Sequence, residues 1–121
     1  MGETSREIQN RVQEWENITL HPHRFGGVEF RLGRREIGHL HGDSLLDIPF
    51  PLKVRDNLIA ERRVEPHHVL PQSGWISFRL RTPGDTEEAV RLLRLAYELA
   101  VDSATTRAAQ ATTIRKEQET A

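Results

Sequence analysis

The chain has no cysteine, which excludes disulfide scaffolding, thiolate catalysis and every cysteine-ligated zinc or iron-sulfur site, and leaves the redox compartment open. An excess of either charge is also missing, since 17 Lys and Arg stand against 18 Asp and Glu for a net charge of -1. There is no polycation for phosphate neutralisation to act on, so nucleic acid is not an expected partner. Long apolar runs are absent too, all falling far short of the ~20 residues that a membrane span needs. Met1 to Asn17 mixes charges with single apolar residues and shows no signal-peptide run. A soluble, cytoplasmic protein without a membrane partner is therefore expected. Gly-rich phosphate loops, Gly-x-Ser-x-Gly elbows, zinc-protease helices and internal repeats are likewise not found.

What is present suffices for one folded domain. Hydrophobic residues make up 36% of 121, and a chain of this length buries roughly two thirds of its unfolded surface. Thr4 and Glu7 form a capping-box pattern ahead of Ile8, Val12 and Trp15 at helical spacing, which predicts an N-terminal helix. Residues 20–27, with Pro22, Gly26 and Gly27, read as an irregular approach to a sheet. Val28, Phe30 and Leu32 alternate with Glu29 and Arg31 as a strand, and Gly33-Arg34 suits a two-residue hairpin. That loop pairs Arg31 with Glu36, Phe30 with Ile37, Val28 with His39 and Gly26 with His41, placing His39 and His41 on the apolar face. Leu45 to Ile48 is a further strand after the Gly42-Asp43-Ser44 turn. A three-residue loop there sets Asp47 across from His39 on the same face, and a two-residue loop turns it away.

Pro51 opens a short middle helix with Leu52, Val54, Leu58 and Ile59 on its buried side, and residues 64–73 read as a loop. Trp75 to Arg81 alternates as a last strand, and Asp85 with Glu88 caps a long C-terminal helix carrying Val90, Leu93, Tyr97 and Ala100 on one stripe. The expected fold class is α+β: an antiparallel meander of about four strands with helices before, within and after it, in a single domain over residues 1–103. Residues 104–121, with Ile114 as their one large apolar side chain, read as a polar tail, a frayed helix or disorder.

Six histidines fall in three pairs, 21 with 23, 39 with 41, and 67 with 68. His39-x-His41 carries the sharpest signal, because alternate strand residues point the same way and two imidazoles can then meet one ion or one substrate. His67-His68, Asp47 and Glu36 lie close by in the chain, so several titratable groups can line one end of the sheet. A zinc, iron or manganese site from His39, His41, His68 and Asp47 is chemically reasonable, since neutral imidazoles and a carboxylate suit those ions. His21-Pro22-His23 reads as a bent pair with a surface or packing role. Trp75 suits stacking on a planar ligand, and Arg79 suits an acidic substrate group.

Arg35-Glu36-Ile37-Gly38-His39-Leu40-His41, His67-His68-Val69-Leu70, Gly74-Trp75-Ile76-Ser77-Phe78 and Glu87-Glu88-Ala89 together resemble the luciferase-domain family. This is a set of small bacterial proteins sharing a domain with the luciferases of bioluminescent fungi. The resemblance runs over about residues 28–100, and residues 21–27 resemble the bacterial members. It implies oxidation of a small hydroxylated planar compound by molecular oxygen: the fungal enzymes oxidise a hydroxylated styryl-pyrone, with loss of carbon dioxide and emission of light, without a metal or organic cofactor. Glu36, His39, His41 and His68 fall on matching positions as catalytic residues, with His39 or His41 as the base, and Trp75 matches as well. Asp47 departs from the fungal pattern, which has a histidine near there, and no N-terminal membrane segment like that of the fungal enzymes is expected.

These features lead to an oxygenase-like oxidoreductase or binder with a small-molecule ligand at Glu36, His39, His41 and His68. Asp47, Trp75 and Arg79 would be ligand-binding, no cofactor is expected, and a homodimer is one arrangement. A non-catalytic ligand- or protein-interaction module with structural histidines is the rival reading. A metal-dependent enzyme using His39, His41 and His68 is the third.

Overall fold

A computed structural model describes residues 2–120, with the backbone alone for 114–120. Three helices, α1 (Glu3–Val12), α2 (Leu52–Ala60) and α3 (Asp85–Thr120), accompany six strands, β1 (Ile18–His23), β2 (Gly27–Leu32), β3 (Arg35–His41), β4 (Leu45–Pro49), β5 (Glu65–Pro66) and β6 (Trp75–Arg79). All pair antiparallel in one sheet of order β1-β2-β3-β4-β6-β5. The α+β class holds, with two strands beyond the expected four. Residues 18–23 form a regular edge strand despite Pro22, because an edge strand need not donate every N–H to a ladder. The Glu65–Pro66 strand is too short for alternation to reveal. The tail expected over 104–121 falls partly on residues whose side chains, Ile114 among them, lie outside the described residues.

One face of the sheet meets α3, which packs over β2, β3 and β4 and also against α1. Phe30, Leu40, Leu46, Ile48 and Ile76 meet Leu92 and Leu93 in a core with almost no exposure. Gly38 permits the close approach, because a Cβ there would lie 2.8 Å from Cδ2 of Leu93. The Thr4–Glu7 capping box does not form. The N-cap residue is Gly2, without a side-chain cap, and Asp43 supplies the acceptor instead, its Oδ1 receiving the Ser5 N–H at 2.8 Å. At the other helix Asp85 turns its carboxylate back on the preceding turn, accepting the N–H groups of Arg81 and Thr82.

The β2–β3 ladder starts as the hairpin loop dictates, with Leu32 opposite Arg35 and Arg31 opposite Glu36, and then shifts. Phe30 pairs with Gly38, Glu29 with His39 and Val28 with Leu40, so Ile37 is an extra residue in a β-bulge. This corrects the expected pairs Phe30–Ile37 and Val28–His39. One added residue reverses parity from that point on, and His39 and His41 leave the apolar face for the one away from α3. Ile37 itself is buried, 1% exposed, which gives the bulge a hydrophobic reason. The turn after His41 takes the three-residue form, and His39 stands opposite Asp47.

Candidate functional site

On the face away from α3 the strands present Glu29 and Arg31 from β2, Glu36, His39 and His41 from β3, Asp47 from β4, and Trp75 and Ser77 from β6. Asp47 is the centre. Although it points away from the core it has no solvent exposure, because side chains enclose it. Oδ1 accepts the Ser77 hydroxyl at 2.7 Å. Oδ2 lies 2.9 Å from Nε2 of His41 and 3.3 Å from Nε2 of both His39 and His67. Burial pushes the carboxyl pKa up, but hydrogen bonds from His39, Ser77 and His41 and the nearby His67 outweigh it, so the group stays ionised well below the usual carboxylate range.

The imidazoles differ in what their second nitrogen does. Nδ1 of His39 meets Oε2 of Glu36 at 2.7 Å, so both nitrogens face carboxylates and both carry protons. Burial opposes that charge, yet the bonds to Asp47 and Glu36 prevail and raise the pKa from 6.5 to about 9. The bulge makes this contact possible by bringing His39 to the face of Glu36. In His67, Nδ1 accepts the backbone N–H groups of Val69 and Leu70 at 3.1 and 3.0 Å. In the neutral ring this places the proton on Nε2, pointing at Asp47. His41 uses only Nε2, and among the described residues its Nδ1 has no hydrogen-bond partner. Its side chain is 35% exposed, making it the most accessible ring on Asp47.

His23 joins the cluster from β1, which the reading of a bent surface pair did not anticipate. Its ring lies flat on His39 with centroids 4.0 Å apart, and its Nδ1 meets Oε1 of Glu29 at 3.0 Å. The Nε of Arg31 in turn donates to Oε2 of Glu29. Trp75 is half-buried, 5.3 Å from His39 and 6.1 Å from His67 between ring centroids.

Of the residues expected at the site, Glu36, His39, His41, Asp47 and Trp75 are thus brought together. His68 is exposed and stacks on His67 at 4.5 Å, so His67 is the member of that pair touching Asp47. Arg79 is exposed near the end of the same face, with its ion pair to Glu65 at 3.6 Å. The His39, His41 and His68 expected as one ligand set fall into two groups with ring nitrogens or carboxylate oxygens within 4.8 Å, one of His23, His39 and His41, the other of Asp47, His67 and His68. His67 and Ser77 were missed as site residues. Only the register β4 to β6, which pairs Asp47 with Ser77, points to the second.

A pH dependence of stability follows. Folding raises the His39 pKa, so its contribution is complete below the ordinary 6.5 and is lost as pH rises through about 9. Folding lowers that of Asp47, so its contribution is complete above the ordinary 3.8 and is lost as pH falls through the folded value. The share of Tm due to this pair is therefore expected to be largest between about pH 4 and 6.5 and to fall towards pH 9. Calorimetry across that range tests it, and a His39→Gln protein should lose the alkaline decline.

The fold and cluster define a class: an α+β protein with a histidine–carboxylate site on the open face of an antiparallel sheet. A family model described as the luciferase domain matches residues 34–96, a span holding Glu36, His39, His41, Asp47, His67, His68 and Trp75. The chain belongs to the luciferase-domain family. No curated protein and no solved structure matches it. No helix among the described residues is long and apolar enough to cross a membrane.

Proposed function

We propose that the protein binds a small planar hydroxylated compound over His39, His41 and Trp75 and adds molecular oxygen to it without a cofactor. The observation that supports this most is the Asp47–His41 pair: a buried carboxylate holds Nε2 at 2.9 Å, and the opposite nitrogen has no protein partner among the described residues. An imidazole so oriented is a general base with its lone pair at Nδ1. It takes the hydroxyl proton of the ligand. The resulting enolate forms a carbon–oxygen bond to O2, which accepts the electrons, and the proton returns from His41 to the outer oxygen to give a hydroperoxide. Nothing else is consumed. His39, charged between Glu36 and Asp47, has no free lone pair and serves as a fixed positive charge beside the enolate. His67 and Ser77 position Asp47.

The test is oxygen uptake with a styryl-substituted hydroxypyrone. His41→Ala is expected to lower turnover by about 10²–10⁴-fold, with ligand affinity, read from tryptophan fluorescence, changed far less. Uptake equal to that of the unaltered protein would overturn the reading, as would a loss confined to affinity.

A further inference from the structure

His23 and His41 share an arrangement of which the proposed proton transfer uses only the His41 half. Each ring has one nitrogen on a carboxylate, Nδ1 of His23 on Glu29 at 3.0 Å and Nε2 of His41 on Asp47 at 2.9 Å. In each, the other nitrogen is without a protein partner among the described residues. Both carboxylates are themselves anchored, Glu29 by Arg31 and Asp47 by Ser77. This is the outer-shell pattern of metal-ligating histidines, in which a carboxylate on the far nitrogen fixes the tautomer and raises the basicity of the near one.

The spacing agrees. The ring centroids are 5.7 Å apart with planes at 77°. Two imidazoles on one tetrahedral ion, at nitrogen–metal distances of ~2.0–2.1 Å, place their centroids roughly 5–6 Å apart. Within the group of His23, His39 and His41, one nitrogen of each lies within 4.8 Å of the others. His39 contributes no lone pair while Glu36 and Asp47 hold both its nitrogens. His67 is unsuited as well, since its Nδ1 accepts two backbone N–H groups and its Nε2 carries the proton.

We propose that Nε2 of His23 and Nδ1 of His41 chelate one borderline divalent cation of the zinc, cobalt or nickel kind, with its remaining positions open to water or to an oxygen of a ligand. Two neutral imidazoles select for such ions over magnesium or calcium, which demand oxygen. A cation on Nδ1 of His41 excludes a proton there, so the ion competes with the hydroxyl compound for the same lone pair. The chelate rests on the His23–His41 geometry and not on the proposed oxidation.

The experiment uses untagged, chelator-stripped full-length protein titrated with Co2+ and Zn2+, read by thermal shift and by the visible absorption of cobalt. One equivalent is expected to bind and raise Tm, with affinity reduced at least tenfold in His23→Ala and in His41→Ala and kept in His21→Ala and His68→Ala. His41→Gln replaces His41→Ala if the latter does not fold. No saturable binding, or an equal loss in His68→Ala, overturns the cation site. Oxygen uptake separates this proposal from the last: His41-dependent uptake in a protein that binds no cation overturns the chelate alone. Uptake that cation binding leaves unchanged or raises removes the predicted competition and, with it, His41 as the base, while the cation site stands.

Discussion

Asp47→Ala is expected to lower the unfolding free energy by about 3–5 kcal/mol, the cost of removing one partner of a buried ion pair and leaving the other uncompensated. Tm should fall by roughly 10–20 °C for a domain of this size. Four groups lose their partner at once: the Ser77 hydroxyl and the Nε2 atoms of His39, His41 and His67. Asp47→Asn keeps an acceptor for Ser77 and one N–H but removes the charge that His39 needs. It should fall between Ala and the unaltered protein in stability, with a lower His39 pKa by NMR titration. A Tm change of only a degree or two in Asp47→Ala would mean that the imidazoles do not depend on this carboxylate.

Phe30→Ala is expected to cost about 3–5 kcal/mol as well, for a different reason: loss of transfer free energy and a cavity where a fully buried aromatic ring stood. Phe30 sits on the α3 side of β2, opposite Gly38 across the bulge, while the histidines occupy the other side of the sheet. Chemical denaturation should therefore show the full loss, and the NMR signature of the doubly protonated His39 should persist in the folded variant. Comparison with Asp47→Ala separates the core from the site. If Phe30→Ala also abolishes the His39–Glu36 contact, the bulge depends on core packing more than on Ile37 burial.

Much of this arrangement is legible locally. Alternation over Val28–Leu32 and Trp75–Arg79, the helical stripe of α3 and the Gly33-Arg34 hairpin each state their own conformation, since a side-chain period of two or 3.6 needs only near neighbours in sequence. The pairing of Arg31 with Glu36 follows from the loop length. From these alone came the α+β class and the concentration of His39, His41, Glu36 and Asp47 in one meander.

The decisive features of the site were not local. Alternation predicts a face only while the ladder is regular, and the single extra residue at Ile37 reverses it; what favours the bulge is the burial of Ile37 under the core and the meeting of His39 with Asp47 and Glu36, all cross-strand or tertiary effects. His23 comes in from an edge strand that proline obscured, and His67 from a loop whose backbone N–H groups set its tautomer. Local pattern was enough for the three helices, for β2, β3, β4 and β6, and for which titratable groups lie near one another along the chain, but not for β1 or β5. That these groups turn away from the core and close around a buried carboxylate is a matter of long-range contacts, because parity across a bulge and the docking of a loop depend on contacts that no local period encodes.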